Sequence, residues 1–180
     1  MRQPGDRLPA PGELVLVQDL ANTLDIEGGH EELGDIAGLA AFCAAHGLPR
    51  LRLTNADLLA VRELREAIRD ACAAHVGVAV PDASLIALRR LFARAPLVVA
   101  IDDAGAAWAT PASGLDGAAA LTAAVASAIL SAVADDCWQR LKACTAHECR
   151  WVYYDHSPAG RSRWCTMSIC GSRAYHSKSG

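Results

Sequence analysis

The chain has 180 residues, of which 52% are hydrophobic and 21% charged, and a formal net charge of −3. That length fits one medium domain, or one of about 100–150 residues with a small appendage, and the composition supports a packed core and excludes bulk disorder. It contains no run of about 18 uninterrupted apolar residues, nor a basic stretch before an N-terminal apolar core, so the sequence predicts a soluble, cytosolic protein with no membrane partner.

Residues 1–12 are rich in Pro, Gly and charge and predict a loose lead-in. Glu13 to Leu24 is apolar and predicts a helix, and Gly28-Gly29 interrupts it. Asp35 to His46 predicts a second helix, with Ile36, Leu39, Ala40 and Cys43 at helical spacing and Gly47 as its stop. The clearest helix runs from Thr54 to about Val76, capped by Thr54 or Asn55, with Leu58, Val61, Leu64, Ile68 and Cys72 on one face. Arg62, Arg65, Glu66 and Arg69 fall off that stripe, and Arg62–Glu66 has i,i+4 spacing. Pro81-Asp82 opens a further helix with Leu85, Leu88, Leu91 and Phe92 inward, stopping before Pro96.

The period then changes. Leu97 to Ile101 predicts a strand, Asp102 to Gly105 a turn, and Ala106 to Thr110 a returning strand. After a loop over 111–117, an Ala/Leu/Val/Ile pattern predicts one long helix from Ala118 to Leu141, leading without a linker into a cysteine pair. A metal module there would be rigidly coupled to that helix.

Charge is segregated. Residues 141–180 carry six Lys/Arg against two acids, whereas residues 1–140 carry eleven bases against eighteen acids. A basic end is the electrostatic footprint of nucleic-acid binding, and a solvated basic face without a partner is the plainer alternative. The seven cysteines divide in the same way. Cys43 and Cys72 stand alone in apolar helical contexts as small core residues, and Cys137 is isolated too. The other four form Cys144-x4-Cys149-x15-Cys165-x4-Cys170.

Four thiolates satisfy a tetrahedral Zn²⁺, each half of this pattern supplying two ligands from one local turn. A closed four-sulfur shell leaves no position for water or substrate, which makes the zinc structural, one per chain. A module this small needs the metal for much of its folding energy. An iron–sulfur cluster also accepts four cysteines, and four unlinked core cysteines are the bland reading. The spacer predicts a hairpin, Trp151–Tyr154 outward and Arg161–Trp164 back, as in a zinc ribbon or treble clef. Trp151 and Trp164 are expected to pack the hairpin, and His147 and His156 to be loop residues.

The segment from Arg140-Leu141-Lys142 through Cys144, Cys149-x-Trp151-x-Tyr153-x-Asp155-x-Ser157 and Arg163-Trp164-Cys165 to Cys170-Gly171-x-Arg173 resembles the CGNR zinc-finger family. Members of that family carry an N-terminal domain called ABATE and are described as stress-induced transcription regulators. Leu20-Ala21-Asn22-Thr23-Leu24 resembles that domain's opening motif, and Leu64-Arg65-Glu66-Ala67-Ile68-Arg69 resembles its "LREALR" helix. Two departures stand out: the signature asparagine is Ser172 here, and the basic run after the fourth cysteine is reduced to Lys178.

Together these elements predict an α+β fold, with a mostly helical domain over 1–140 containing a small β-hairpin and a zinc-ribbon or treble-clef-like module over 141–180, and the resemblance agrees. It implies regulation of transcription in response to stress, with DNA as partner. Lys142, Arg150, Arg161, Arg163 and Arg173 are then the nucleic-acid candidates, since arginines contact phosphates and guanine edges. It also implies a small-molecule pocket in the N-terminal domain, for which Asn22, Arg62 and Arg65 are candidates suited to an anionic ligand. In the plainer alternative, Asn22 satisfies backbone groups at a helix end and the arginines form surface ion pairs. The rival reading is an interaction protein whose zinc module docks another protein or a second copy as a homodimer. No nucleophile elbow, phosphate loop or His-Glu metal helix points to an enzyme, and Asp102-Asp103 are turn formers.

Overall fold

A computed structural model describes residues 7–48, 50–146 and 148–172. Its helices are α1 (Leu14–Asn22), α2 (Ile36–Ala45), α3 (Asn55–Ala74), α4 (Asp82–Phe92) and α5 (Gly117–Ala134). Three antiparallel two-stranded ladders accompany them: β1 (Leu24–Asp25) with β2 (His30–Glu31), β3 (Leu97–Ile101) with β4 (Ala107–Pro111), and β5 (Leu141–Ala143) with β6 (Val152–Tyr154). This is the expected α+β architecture.

One carboxylate starts two of the helices. Asp57 Oδ2 accepts from Thr54 N at 2.8 Å, while the Thr54 hydroxyl oxygen accepts from Asp57 N, closing a capping box on α3. The other oxygen, Oδ1, accepts from Ala118 N at 2.8 Å in the first turn of α5. Gly117 makes this possible, because its φ is +55° and a Cβ there would lie 2.5 Å from Asp57 Oδ1.

The apolar face of α3 is buried as its spacing predicts. Leu58, Val61, Leu64, Ile68 and Cys72 pack with Val17 and Leu20 of α1, Leu39 of α2, and Leu121 and Val125 of α5. Leu141 and Ala143 of β5 and Val152 and Tyr154 of β6 belong to the same core. The C-terminal hairpin is thus a wall of the helical body.

Three expectations are corrected. Helix α5 ends at Ala134, not Leu141, because Asp136 adopts φ +53°. Cys137 N then donates to Ala132 O at 2.8 Å and Asp136 N to Val133 O at 3.2 Å, a Schellman stop with Asp in the glycine position. Second, β6 pairs with β5 in the register Leu141↔Tyr154, and not with Arg161–Trp164, so the first cysteine pair lies in the hairpin's own loop. Third, Arg65 and Arg69 are buried, not surface residues, and Glu66 pairs with both of them instead of Arg62. Arg69 donates to the carbonyls of Ala21 and Leu24, placing its cation against the C-terminal end of α1 where the helix dipole is negative. Helix α5 has the length and apolarity to cross a membrane, with mean hydropathy 1.9 over 18 residues, although Thr122, Ser127 and Ser131 interrupt its apolar run. It packs on α1, α3, α4 and β4.

Candidate metal centre

Cys144 follows β5 directly and Cys149 lies in the loop that returns to β6. Cys144 N donates to Trp151 O at 2.8 Å, and Cys149 N to Ala146 O at 3.0 Å, folding this loop into a knuckle. Cys165 precedes, and Cys170 lies within, a single π-helical turn, Met167–Gly171, whose last N–H donates to Thr166 O at 3.0 Å. A hairpin knuckle facing a helical turn is the treble-clef layout. The four sulfurs lie within 4.8 Å of one another, with Cys149–Cys165 at 3.6 Å and Cys165–Cys170 at 3.5 Å. A tetrahedral zinc with bonds of about 2.3 Å needs sulfurs about 3.8 Å apart. The arrangement fits one structural Zn²⁺, with Cys137 outside the set. Bonds from Cys149 and Cys165 hold Cys144 below the usual thiol range. Trp151 and Trp164 pack against the cluster.

Beside the cysteines lies a buried ion pair. Lys142 Nζ meets Asp155 Oδ2 at 2.8 Å, with side chains 4% and 0% exposed. Burial alone would raise the Asp155 carboxyl, but bonds from Lys142, Ser157 and Ser162 outweigh it and hold the group well below the usual carboxylate range. Ser162 N donates to Asp155 Oδ2 at 2.9 Å and Ser157 Oγ to Oδ1 at 2.7 Å, so Asp155 organises the 155–162 loop that carries the chain from β6 to Cys165.

Residues 12–136 match the family model described as "Putative stress-induced transcription regulator" (ABATE), and residues 140–178 match the CGNR zinc finger. The chain belongs to the ABATE family. No curated protein matches it. Both matched descriptions are of regulator or zinc-finger type, not of enzymes.

In this ABATE chain the zinc hairpin is tied to the helical body through α1. The β5–β6 ladder bonds Tyr153 to Lys142, which turns the backbone groups of Val152 and Tyr154 outward. Asn22 meets Val152 with both ends of its amide: Val152 N donates to Oδ1 at 2.8 Å, and Nδ2 donates to Val152 O at 2.7 Å. Gln18 Nε2 adds a bond to the same carbonyl at 3.3 Å. Arg7 donates to Cys165 O, Trp164 O and Tyr154 O, its guanidinium 4.5 Å from the Tyr153 ring centre. On the other edge, His75 Nδ1 is 2.6 Å from Leu141 O, and Arg150 pairs with Asp70 of α3. Asn22 is therefore a structural clamp on strand β6, and not a cap on backbone groups at a helix end. Arg7 was not legible at all, a lone arginine in a lead-in segment.

The nucleic-acid candidates separate by burial. Lys142 is buried in its ion pair and cannot reach a phosphate, which corrects that expectation, and Arg150 is committed to Asp70. Arg161 and Arg163 are exposed and have no ion-pair partner among the described residues. Arg173, Lys178 and His147 lie outside the described residues.

The ligand candidates are engaged by bonds within the fold. Arg62 donates to Leu33 O at 2.7 Å and Gly34 O at 2.9 Å, and Arg65 Nη1 reaches Glu31 Oε1 at 2.6 Å. A cleft of about 590 Å³ lies elsewhere, between α1, β4 and α5, with Glu13, Leu16, His46, Trp108, Thr110 and Ser127 in its wall. None of the three candidates lines it, and it has no Lys or Arg. Asp19 backs His46 at 3.5 Å.

Proposed function

We propose that this chain is a ligand-responsive transcription regulator of the cytosol that contacts DNA through Arg161 and Arg163. On this reading residues 1–140 form the sensing part and residues 141–180 the DNA-contacting part. The observation that carries the proposal is the sorting of the zinc module's described cations. Two are locked in ion pairs, and these two remain exposed on a loop fixed by Asp155 next to the metal. Phosphate contact needs cations free to release counterions, and a zinc-held loop presents them without an ordering cost.

A ligand in the cleft accounts for responsiveness. With Glu13 in its wall and no cation, the cleft suits a neutral or cationic molecule in place of the anion first expected. Helix α1 relates the two sites: Glu13 and Leu16 face the cleft, and Gln18 and Asn22 hold Val152.

Titration of the zinc-loaded chain with labelled duplex from near its own gene, beside random duplex, tests the reading at low salt. Binding tighter than about 100 μM is expected, weakened about tenfold or more by Arg161→Ala/Arg163→Ala with zinc retained. If no duplex binds, the module instead docks a protein. The exposed Met167 and Ile169 on the turn between Cys165 and Cys170 favour that second reading.

A further inference from the structure

Three of the four outer strand edges in the two longer hairpins carry bonds to side chains of the chain itself. The β6 edge is capped by Asn22, Gln18 and Arg7, and the β5 edge by His75 at Leu141 O. On β4, Ala109 O accepts from Ser127 Oγ at 2.7 Å, and Pro111 has no N–H to satisfy. The fourth edge, that of β3, has no such bond among the described residues.

Its bonding parity follows from the turns. Asp102 N donates to Ala106 O and Ala112 N to Pro96 O, so the even-numbered residues of β3 bond to β4. Leu97, Val99 and Ile101 then direct their N–H and C=O groups away from β4, with no partner among the described residues. The strand is Leu-Val-Val-Ala-Ile, with Val99 74% and Ile101 68% exposed. It has no charge, proline or bulge, the devices by which proteins block edge pairing.

We propose that β3 is the interface for a second copy of this chain, pairing antiparallel with its own β3 about a two-fold axis at Val99. The edge is self-complementary: Leu97 faces Ile101 of the partner subunit, Val99 faces Val99 of the partner subunit, and each pair exchanges two backbone bonds. The ends match in charge as well. This register brings Arg94, just before β3, near Asp103 of the partner subunit, and Asp102 remains occupied by its turn, accepting from Ala104 N and Ala106 N. Neither Arg94 nor Asp103 has an ion-pair partner among the described residues. The result is a four-stranded sheet across two chains, with the zinc modules outside the contact.

Sedimentation of the full zinc-loaded chain over about 1–200 μM tests this. A monomer–dimer equilibrium is expected, and Val99→Lys should weaken it about 100-fold or more while leaving zinc content and circular dichroism unchanged. Ile101→Lys serves as a second exposed-site variant should the first misfold. Arg94→Glu and Asp103→Arg should each weaken association, and the double variant should restore it to within about threefold of wild type. A wild-type chain that stays monomeric throughout overturns the proposal. So does dimerisation untouched by the lysine variants, or a charge-swapped double variant no better than its parents.

Discussion

Asn22 is 2% exposed, and its amide is the hydrogen-bond partner of the Val152 N–H. Truncation to alanine leaves that donor buried and unpaired, at a cost of about 1–3 kcal/mol. The Val152 carbonyl loses its 2.7 Å bond but keeps the longer one from Gln18, so the second loss is the smaller. Together they cost about 2–4 kcal/mol, which for a chain of this size lowers Tm by roughly 5–15 °C. The clamp joins α1 to the strand that follows the first zinc knuckle, so zinc release to a competing chelator should accelerate in parallel. Calorimetry and chelator-exchange kinetics on zinc-loaded Asn22→Ala measure both. Asn22→Asp, which keeps the acceptor and repels the carbonyl, should fall no closer to wild type. A Tm within about 2 °C of wild type, less than 1 kcal/mol, would refute the clamp.

Gly117→Ala forces a side chain into φ +55° and onto Asp57, breaking its bond to Ala118, and should cost about 2–4 kcal/mol in urea unfolding. Burial lowers the pKa of His46 and of His75 below the ordinary imidazole value, so both fold neutral. Their stabilisation is fully present above the unfolded value of about 6.5 and is lost as pH falls from there through the lowered folded values. The difference in stability between wild type and His46→Gln/His75→Gln should therefore shrink between about pH 7 and 5, and parallel curves would contradict this. Burial pushes the Cys43 thiol up to about 11 and the Cys72 thiol higher still, so both should label slowly while zinc is bound. Rapid modification of either would reveal an open path that the fold does not contain.

What the sequence made legible was what local chemistry decides. The helical spacing of Leu58 through Cys72, the Thr54 cap, the turn at Asp102–Gly105 and the paired cysteine spacing each fix their own structure. What it missed depends on partners distant in the chain. The arginines of α3 read as surface because their acceptors, Ala21 O, Leu24 O and Glu31, lie in another element. The end of α5 was missed because aspartate stands where glycine ordinarily signals a left-handed stop. Lys142 and Arg161 look alike in sequence, and only the fold buries one against Asp155 and leaves the other in solvent.

Salt dependence of DNA binding tests the regulator reading most directly. Each phosphate contact contributes about −0.9 to the slope of log affinity against log salt, so Arg161 and Arg163 give about −2, and Arg173 would bring it near −3. Arg161→Ala/Arg163→Ala should flatten the wild-type slope by about two units with one zinc per chain retained. An unchanged slope in that variant would mean that these arginines do not touch DNA.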